Sequence, residues 1–258
     1  METELQTKLN AFYRLQKIHP LDFDCPDKGF CQQFSTGAMI EAKMSMVGSG
    51  YGQKYPRIAV ISLDPPNDGK GTFKAPADRT TEYVTKFHEE ENYQEHRPNV
   101  HWAMTQIIAK EILVMFGYSP QPDAAIVSEN YSRREIENVS AFFTHVNIAK
   151  CCMNNEGKAQ ADWQVHERCA NAHLREALEL LAPDIIVSQG KDANKIVGQL
   201  FDFPGVEDKL PASKLVQMQG NQILWMPMYN PARHIQEIHQ QWSFYVEAIQ
   251  NWKLANYE

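Results

Sequence analysis

The chain has 258 residues, of which 43% are hydrophobic and 10% aromatic, a composition that is ordinary for a globular protein and does not point to disorder. The formal net charge of −7 counts against a protein that binds nucleic acid through its overall charge, so any DNA-binding surface must be a local basic patch. No apolar run approaches the roughly 20 residues of a membrane span, and the first residues lack a signal-peptide pattern, so we expect a cytoplasmic protein without a membrane partner.

The hydrophobic pattern predicts helices and strands that alternate along the chain. Apolar residues at three- and four-residue steps predict a helix over 1–20, and the same period returns at 100–116. Short β-branched runs predict buried parallel strands at 57–62, 142–149, 184–188 and 223–228. The remaining helices are expected at 165–181, at 193–201 and from the loop 229–233 to Trp252.

This alternation predicts a parallel sheet covered on both faces. We therefore expect one α/β domain over residues 1–258, a three-layer α/β/α sandwich around a short, mainly parallel four-stranded sheet. The polar and charged run 74–100 interrupts the pattern and is interpreted as an insertion. Because functional loops leave the carboxyl ends of parallel strands, one edge of the sheet should carry the loops 64–69, 147–152, 190–194 and 230–233.

The five cysteines fall into two groups that are far apart in the sequence. Cys25 and Cys31 lie near the N-terminus, and Cys151, Cys152 and Cys169 lie in one downstream region. In a reducing cytoplasm such cysteines are more often free thiols or metal ligands than disulfides.

The residues 146–151, the later Cys169 and the segment 178–190 together resemble the iron–sulfur branch of the uracil-DNA glycosylase superfamily. In that family an Asn-Val-Val-Lys-Cys-like strand end precedes a cysteine loop. A second cysteine then opens a helix, and a Pro-x-x-Ile/Val-x-x-x-Gly strand follows. The resemblance extends over about residues 20 to 250, apart from the insertion. It implies the family's fold and a DNA partner, double- or single-stranded, and we expect a monomer.

The resemblance also implies a [4Fe–4S] cluster, because the family has an early and a late pair of cysteine ligands. The matching residues here are Cys25, Cys31, Cys151 and Cys169. The first pair is separated by five residues where two are usual, and Cys152 could replace Cys151. A zinc site and ordinary buried cysteines are the alternatives. The cluster would be structural, because base excision transfers no electron.

Several residues on the predicted functional edge match the family's site. Asp64 falls on the Asn or Glu of the first motif, which implies that it positions water or stabilises the sugar cation, and Asp68 is the second candidate. Phe73 matches a phenylalanine that stacks on the flipped base, and Asn147 matches the asparagine that reads the base edge. The alternatives are residues that only form turns, core contacts or a strand cap.

The last motif departs most from the family. Asn230-Pro-Ala-Arg stands where His-Pro-Ser or His-Pro-Ala is usual. That histidine donates a hydrogen bond to the charge that develops on the base, and a neutral asparagine donates more weakly. The candidates for a basic patch are Lys191, Lys195, Arg233 and His234, with Lys150 nearby, although any one lysine is more often only a solvated surface residue.

The resemblance therefore implies a DNA glycosylase that hydrolyses an N-glycosidic bond without cutting the strand. The insertion and the changed residues Asp64 and Asn230 favour a modified pyrimidine as substrate. The favoured base is glucosylated hydroxymethylcytosine of phage DNA, which some anti-phage members of the superfamily remove. The alternatives are a repair glycosylase for uracil or another deaminated base, and a catalytically inactive nucleic-acid-binding protein of the same fold.

Overall fold

The computed structural model describes residues 3–19, 23–34, 45–63, 100–119, 126–128, 131–132, 139–151, 161–203 and 212–257. Four residues singled out above, Asp64, Asp68, Phe73 and Cys152, lie outside these ranges, as does the insertion up to residue 99.

The helices and strands follow the predicted order. The N-terminal part contains helix α1 (Glu4–Leu15), helix α2 (Lys28–Gln32), strand β1 (Met46–Val47) and strand β2 (Ile58–Ser62). The middle of the chain contains α3 (Val100–Met115), β3 (Ile126–Ser128), β4 (Tyr131–Ser132), β5 (Phe143–Asn147), α4 (Trp163–Cys169) and α5 (Arg175–Leu181). The C-terminal part contains β6 (Ile185–Gln189), α6 (Lys191–Leu200), β7 (Lys214–Met218), β8 (Asn221–Met228) and α7 (Ile235–Asn256).

Six of the described strands form one sheet in the order β1-β5-β2-β6-β8-β7. Its four central strands are parallel, which confirms the four predicted strands. The prediction of a four-stranded sheet was two strands short, because β1 and β7 add antiparallel edges. The short strands β3 and β4 pair with each other in a separate hairpin.

Helices cover both faces of the sheet, which confirms the three-layer sandwich. On one face Ile61 and Trp225 pack with apolar residues of α1, α5 and α6. On the other face Val60 and Met226 pack with apolar residues of α3 and α7. Alternate residues of each buried strand therefore serve opposite layers.

An ion pair joins the amino ends of β2 and β6, at the edge of the sheet opposite the predicted site. Arg57 donates from Nε and Nη2 to the two carboxylate oxygens of Asp184, at 3.0 and 2.7 Å, and its backbone N–H adds a bond of 2.7 Å. None of the helices in the described ranges has the length and apolar character needed to cross a membrane.

Candidate functional site

The carboxyl ends of three parallel strands bring Ser62, Asn147 and Gln189 into one row. Ser62 pairs with Asn147 in the register of β2 and β5, and Gln189 ends the neighbouring strand β6. Val60, Phe143 and Val187 pack towards α3 and α7, and they precede Ser62, Asn147 and Gln189 by two, four and two residues. Because strand side chains alternate, all three side chains belong to this same face.

Hydrogen bonds connect this row to α3. Gln189 Oε1 lies 3.2 Å from Ser62 Oγ and 2.9 Å from Thr105 Oγ1. His145 Nε2 also lies 3.0 Å from Ser62 Oγ. Thr105 Oγ1 also lies 2.8 Å from the carbonyl oxygen of His101, one helical turn earlier. The result is a buried polar network between the strand ends and the first turns of α3.

Two buried amide side chains at this edge of the sheet each have one polar atom without a hydrogen-bond partner among the described residues. Asn147 and Gln189 are each 2% exposed. Within the described part of the chain, Asn147 Oδ1 and the Gln189 atom assigned as Nε2 have no hydrogen-bond partner. An unsatisfied buried polar group costs about 1–3 kcal/mol, so these two atoms are candidates for hydrogen bonds to a ligand, an ion or water.

The first turns of α3 also carry a neutral histidine. Burial lowers the pKa of His101 to about 4. The ring is therefore uncharged near neutral pH. The chain enters α3 at Val100, the last residue of the predicted insertion.

Asn230 lies beside the turn that starts α6, at the same edge. Its Oδ1 accepts a hydrogen bond of 3.0 Å from the backbone N–H of Ala232, which leaves Nδ2 as the donor group of the amide. A Cβ placed on Gly190 would lie 3.7 Å from the Asn230 Cβ. Gly190 has a φ of +99°, which favours glycine. The predicted proximity of the 190–194 and 230–233 loops is confirmed.

The candidate basic residues differ in their surroundings. Lys191 and Arg233 are exposed. Lys195 is partly exposed, and its ammonium lies over the ring of Trp163, 4.5 Å from its centre. His234 Nδ1 lies 3.2 Å from Glu237 Oε1, so a carboxylate already neighbours this ring.

Lys150 does not belong to a basic surface patch, and the prediction that placed it there was wrong. It is 2% exposed, and its ammonium donates to the carbonyl oxygen of Asn147 at 2.6 Å. The ammonium also lies 3.4 Å from Tyr13 Oη and over that ring. The carbonyl oxygen and the aromatic face compensate the buried charge, because an unpaired ammonium group is energetically costly to bury.

The four predicted cysteine ligands line one pocket. Cys25 and Cys31 come from the N-terminal segment, Cys151 follows β5, and Cys169 ends α4. Cys31 and Cys151 are buried, and Cys25 and Cys169 are partly exposed. The pocket lies next to the strand end that carries Asn147, because only residues 148–150 separate that residue from Cys151.

The pKa values of these thiols reflect burial and their mutual contacts. The Cys151 thiol is hydrogen-bonded to Cys31, which raises the pKa of Cys151 and lowers that of Cys31. Burial raises the pKa of Cys25, and it raises the pKa of Cys169 to about 12. The Lys150 charge opposes this last shift, as does the Lys150 backbone N–H, which donates to Cys169 Sγ at 3.3 Å. Metal binding would therefore displace protons from these sulfurs.

An ion pair joins the two chain segments that carry the cysteines. Arg168 donates from Nε and Nη2 to Asp27 Oδ1, at 2.9 and 2.7 Å. Asp27 lies between Cys25 and Cys31, and Arg168 directly precedes Cys169. The guanidinium also lies over the ring of Phe30. These contacts hold together the two segments whose cysteines line the pocket.

A π-helical turn, Ala170–Leu174, follows Cys169 and interrupts the predicted single helix over 165–181. It brings the buried His173 into the lining of the cysteine pocket. Burial, assisted by the Lys150 charge, lowers the pKa of His173 to about 4. Its Nδ1 has no partner among the described residues. Such turns are rare and are often found at functional sites.

The donor set fits an iron–sulfur cluster. Four thiols from two segments, with a backbone N–H directed at one sulfur, are the groups that hold and tune such clusters. Within the described ranges, no three His, Cys, Asp or Glu side chains are arranged closely enough to hold a single metal ion.

Most residues of the polar network were not predicted from the sequence, namely Ser62, His101, Thr105, His145 and Gln189. Ser62 and Gln189 could have been found, because each is a polar residue at the carboxyl end of a predicted strand. Thr105 lies on a helix, and no sequence signal shows that its hydroxyl contacts Gln189 at the sheet edge. His173 depends on the π-helical turn, which the helical period does not reveal.

Two comparisons were made with known proteins. A scan against models of protein families gave no match, and a search of curated protein sequences gave none either.

Proposed function

We propose that this protein is a monofunctional DNA glycosylase, which hydrolyses the N-glycosidic bond of a flipped-out modified pyrimidine. The observation that carries the proposal is the position of the four-cysteine pocket beside the strand end that bears Asn147. The resemblance to iron–sulfur uracil-DNA glycosylases implies this same pairing of a cysteine site with a base-reading asparagine. The unsatisfied Asn147 Oδ1 supports a role in binding a polar ligand edge.

The proposed chemistry follows from the charges that develop as the bond breaks. The sugar becomes positive and the departing base becomes negative, so the site needs groups that stabilise both. We assign Asp64 to the sugar cation or its attacking water, with Asp68 as the second candidate, and Phe73 to stacking on the base. Asn147 reads the base edge, and Asn230 donates from Nδ2 to the developing charge, since its Oδ1 is engaged by Ala232.

A [4Fe–4S] cluster would be held by Cys25, Cys31, Cys151 and Cys169, and it would supply a structural cross-link, not a reaction step. The Asp27–Arg168 ion pair and Lys150 support the same cross-link without metal. Their combined effect is to fix the N-terminal segment and the Asn147 strand end relative to each other.

DNA is the proposed partner, and its contacts must be local because the chain is acidic overall. Lys191 and Arg233 are exposed at the carboxyl edge of the sheet, near the first turn of α6. Backbone N–H groups at a helix N-terminus favour phosphate, and two nearby cations add to this attraction. These residues would position the strand and leave base recognition to the buried amides.

The favoured substrate is glucosylated hydroxymethylcytosine, and an alkali-cleavage assay tests it against the alternatives. The protein is incubated with glucosylated phage-type DNA and with single- and double-stranded uracil DNA, and alkali then cleaves any abasic site. Alkali-dependent breaks in the glucosylated DNA support the proposal. Breaks in uracil DNA alone indicate a repair glycosylase, and DNA binding without breaks indicates an inactive binding protein. Breaks without alkali would contradict the monofunctional assignment.

A further inference from the structure

The hydrogen bonds around Gln189 determine which atom of its amide is available to a ligand. The amide nitrogen and oxygen of a glutamine are nearly the same size, so the hydrogen-bond donors and acceptors around them must decide which atom is which. The anchored amide atom lies 2.9 Å from Thr105 Oγ1 and 3.2 Å from Ser62 Oγ. The other amide atom is buried without a partner among the described residues.

If the anchored atom were oxygen, one contact would lack a proton. Thr105 has a single hydroxyl proton, and the His101 carbonyl at 2.8 Å can only accept it. Thr105 could not donate a second proton to Gln189, although their oxygens would lie only 2.9 Å apart. The unpartnered atom would then be an NH2 group with two unsatisfied protons, and orphaned buried N–H groups are rare.

If the anchored atom is nitrogen, every contact has one proton. The Gln189 NH2 group donates one hydrogen to Thr105 and the other to Ser62. Thr105 donates to the His101 carbonyl, and Ser62 donates to His145 Nε2 at 3.0 Å. The only unsatisfied atom of the amide is then its carbonyl oxygen, an acceptor.

From this proton count we infer that Gln189 is a specificity-determining residue, whose fixed carbonyl oxygen accepts a hydrogen bond from the exocyclic amino group of a cytosine-type base. The inference rests on the proposed function. Gln189 ends β6 and Asn147 ends β5, with only β2 between these strands, and both side chains lie on the same face of the sheet. The inference therefore narrows the substrate from modified pyrimidines in general to cytosine-type bases.

The chemistry of the two pyrimidines explains the selectivity. A cytosine-type base carries an NH2 group at position 4, which donates to a fixed acceptor. A uracil-type base carries a carbonyl there, and two facing acceptors repel each other. Because the Thr105 proton is committed to the His101 carbonyl, the amide cannot turn over to suit uracil without losing its hydrogen bond to Thr105. Fixed groups of this kind reject the wrong partner more strongly than flexible ones do.

The orientation of the amide is tested by NMR on the full 15N-labelled chain. The Gln189 NH2 signals are identified by their loss in Gln189→Met. We expect nuclear Overhauser effects from these protons to the Hβ protons of both Ser62 and Thr105. If neither contact is observed while the rest of the spectrum shows a folded protein, the inferred orientation is wrong.

The selectivity is tested by binding, independently of catalysis. The probes are two DNAs with a non-hydrolysable 2′-fluoroarabino nucleotide, one bearing 5-hydroxymethylcytosine and one bearing 5-hydroxymethyluracil, which differ in the group at position 4 and in the proton on N3; Gln189→Met isolates the contribution of position 4. We expect about tenfold tighter binding of the cytosine probe, the effect of one buried hydrogen bond of about 1.4 kcal/mol. Gln189→Met should abolish this preference, and Gln217→Met, on the exposed face of β7, should retain it.

Two outcomes would overturn the inference, namely no preference in the wild-type protein or a preference that survives in Gln189→Met. A preference for cytosine in a protein that excises no base would instead contradict the proposed enzyme activity alone. The two failures are therefore distinguishable.

Discussion

The Lys150 ammonium donates a hydrogen bond of 2.6 Å to the backbone carbonyl of Asn147, and both residues are buried. The backbone N–H of Lys150 donates in turn to Cys169 Sγ. One residue therefore connects the strand end that carries the proposed base-reading asparagine with the cysteine pocket. A change in either part should be transmitted to the other.

Lys150→Met is the first test of this connection. The variant should lower the free energy of unfolding by about 1–3 kcal/mol, because the buried Asn147 carbonyl loses its donor. It should also slow base excision more than it weakens DNA binding, since Asn147 lies in the proposed base site. Lys253→Met is the matched control, because it removes a bond of 3.3 Å to the Met115 carbonyl in a different layer. Equal excision rates for the two variants would contradict the connection.

The cysteine ligands are tested one at a time. Cys31→Ser, Cys151→Ser and Cys169→Ser should each lose iron and visible absorbance, whereas the wild-type chain should bind about four irons. Cys152→Ser should retain the iron, because Cys151 lines the pocket together with the other three predicted ligands. Iron content and absorbance of proteins purified without oxygen provide the measurement. Loss of iron in Cys152→Ser but not in Cys151→Ser would reverse the assignment.

The ion pair between Asp27 and Arg168 should slow the loss of iron. Asp27→Ala removes the contact that joins the two cysteine-bearing segments, so a chelator should extract iron faster from this variant. Asp24→Ala is the control, since Asp24 pairs with Lys17 within the N-terminal segment. Similar extraction rates for the two variants would show that the Asp27–Arg168 pair does not contribute to retention.

The lowered pKa of His101 predicts a pH dependence of stability. Burial lowers the pKa of His101 to about 4, whereas a histidine in an unfolded chain has a pKa of about 6.5. The unfolded state therefore binds the proton more readily, and the free energy of unfolding should fall as the pH drops from about 6.5 to about 4. Urea unfolding of His101→Gln should show a weaker fall across this window. Parallel pH profiles of the two proteins would contradict the prediction.

The central sheet could be predicted from the sequence because its four parallel strands are largely buried. Strands β2, β6 and β8 are mostly apolar, and β5 carries Phe143 and Val146. The edge strands could not be predicted. β1 has two residues, and the first two residues of β7, Lys214 and Leu215, are both exposed. The hairpin that joins β7 to β8 turns at Gln219 and Gly220, both with positive φ, and only the glycine signals this in the sequence.

The position of a site residue was predictable where the residue ends a strand, as Asn147 does, or follows one closely, as Asn230 does. It was not predictable where a role depends on contacts between distant segments. A lysine after a strand is usually exposed, and the burial of Lys150 depends on the Tyr13 ring, which belongs to α1. The role of Gln189 likewise depends on Thr105, which a different layer supplies.

The central claim, hydrolysis of a glycosidic bond to a modified cytosine, is tested most directly by mass spectrometry of the product released from DNA with glucosylated hydroxymethylcytosines. We expect the free modified base, in molar amounts equal to the abasic sites left in the DNA. Asp64→Ala should release it at least about tenfold more slowly, a loss of about 1.4 kcal/mol of transition-state stabilisation, while binding DNA as before. Release of nucleotides in place of the base, or no release by iron-loaded protein, would contradict the claim.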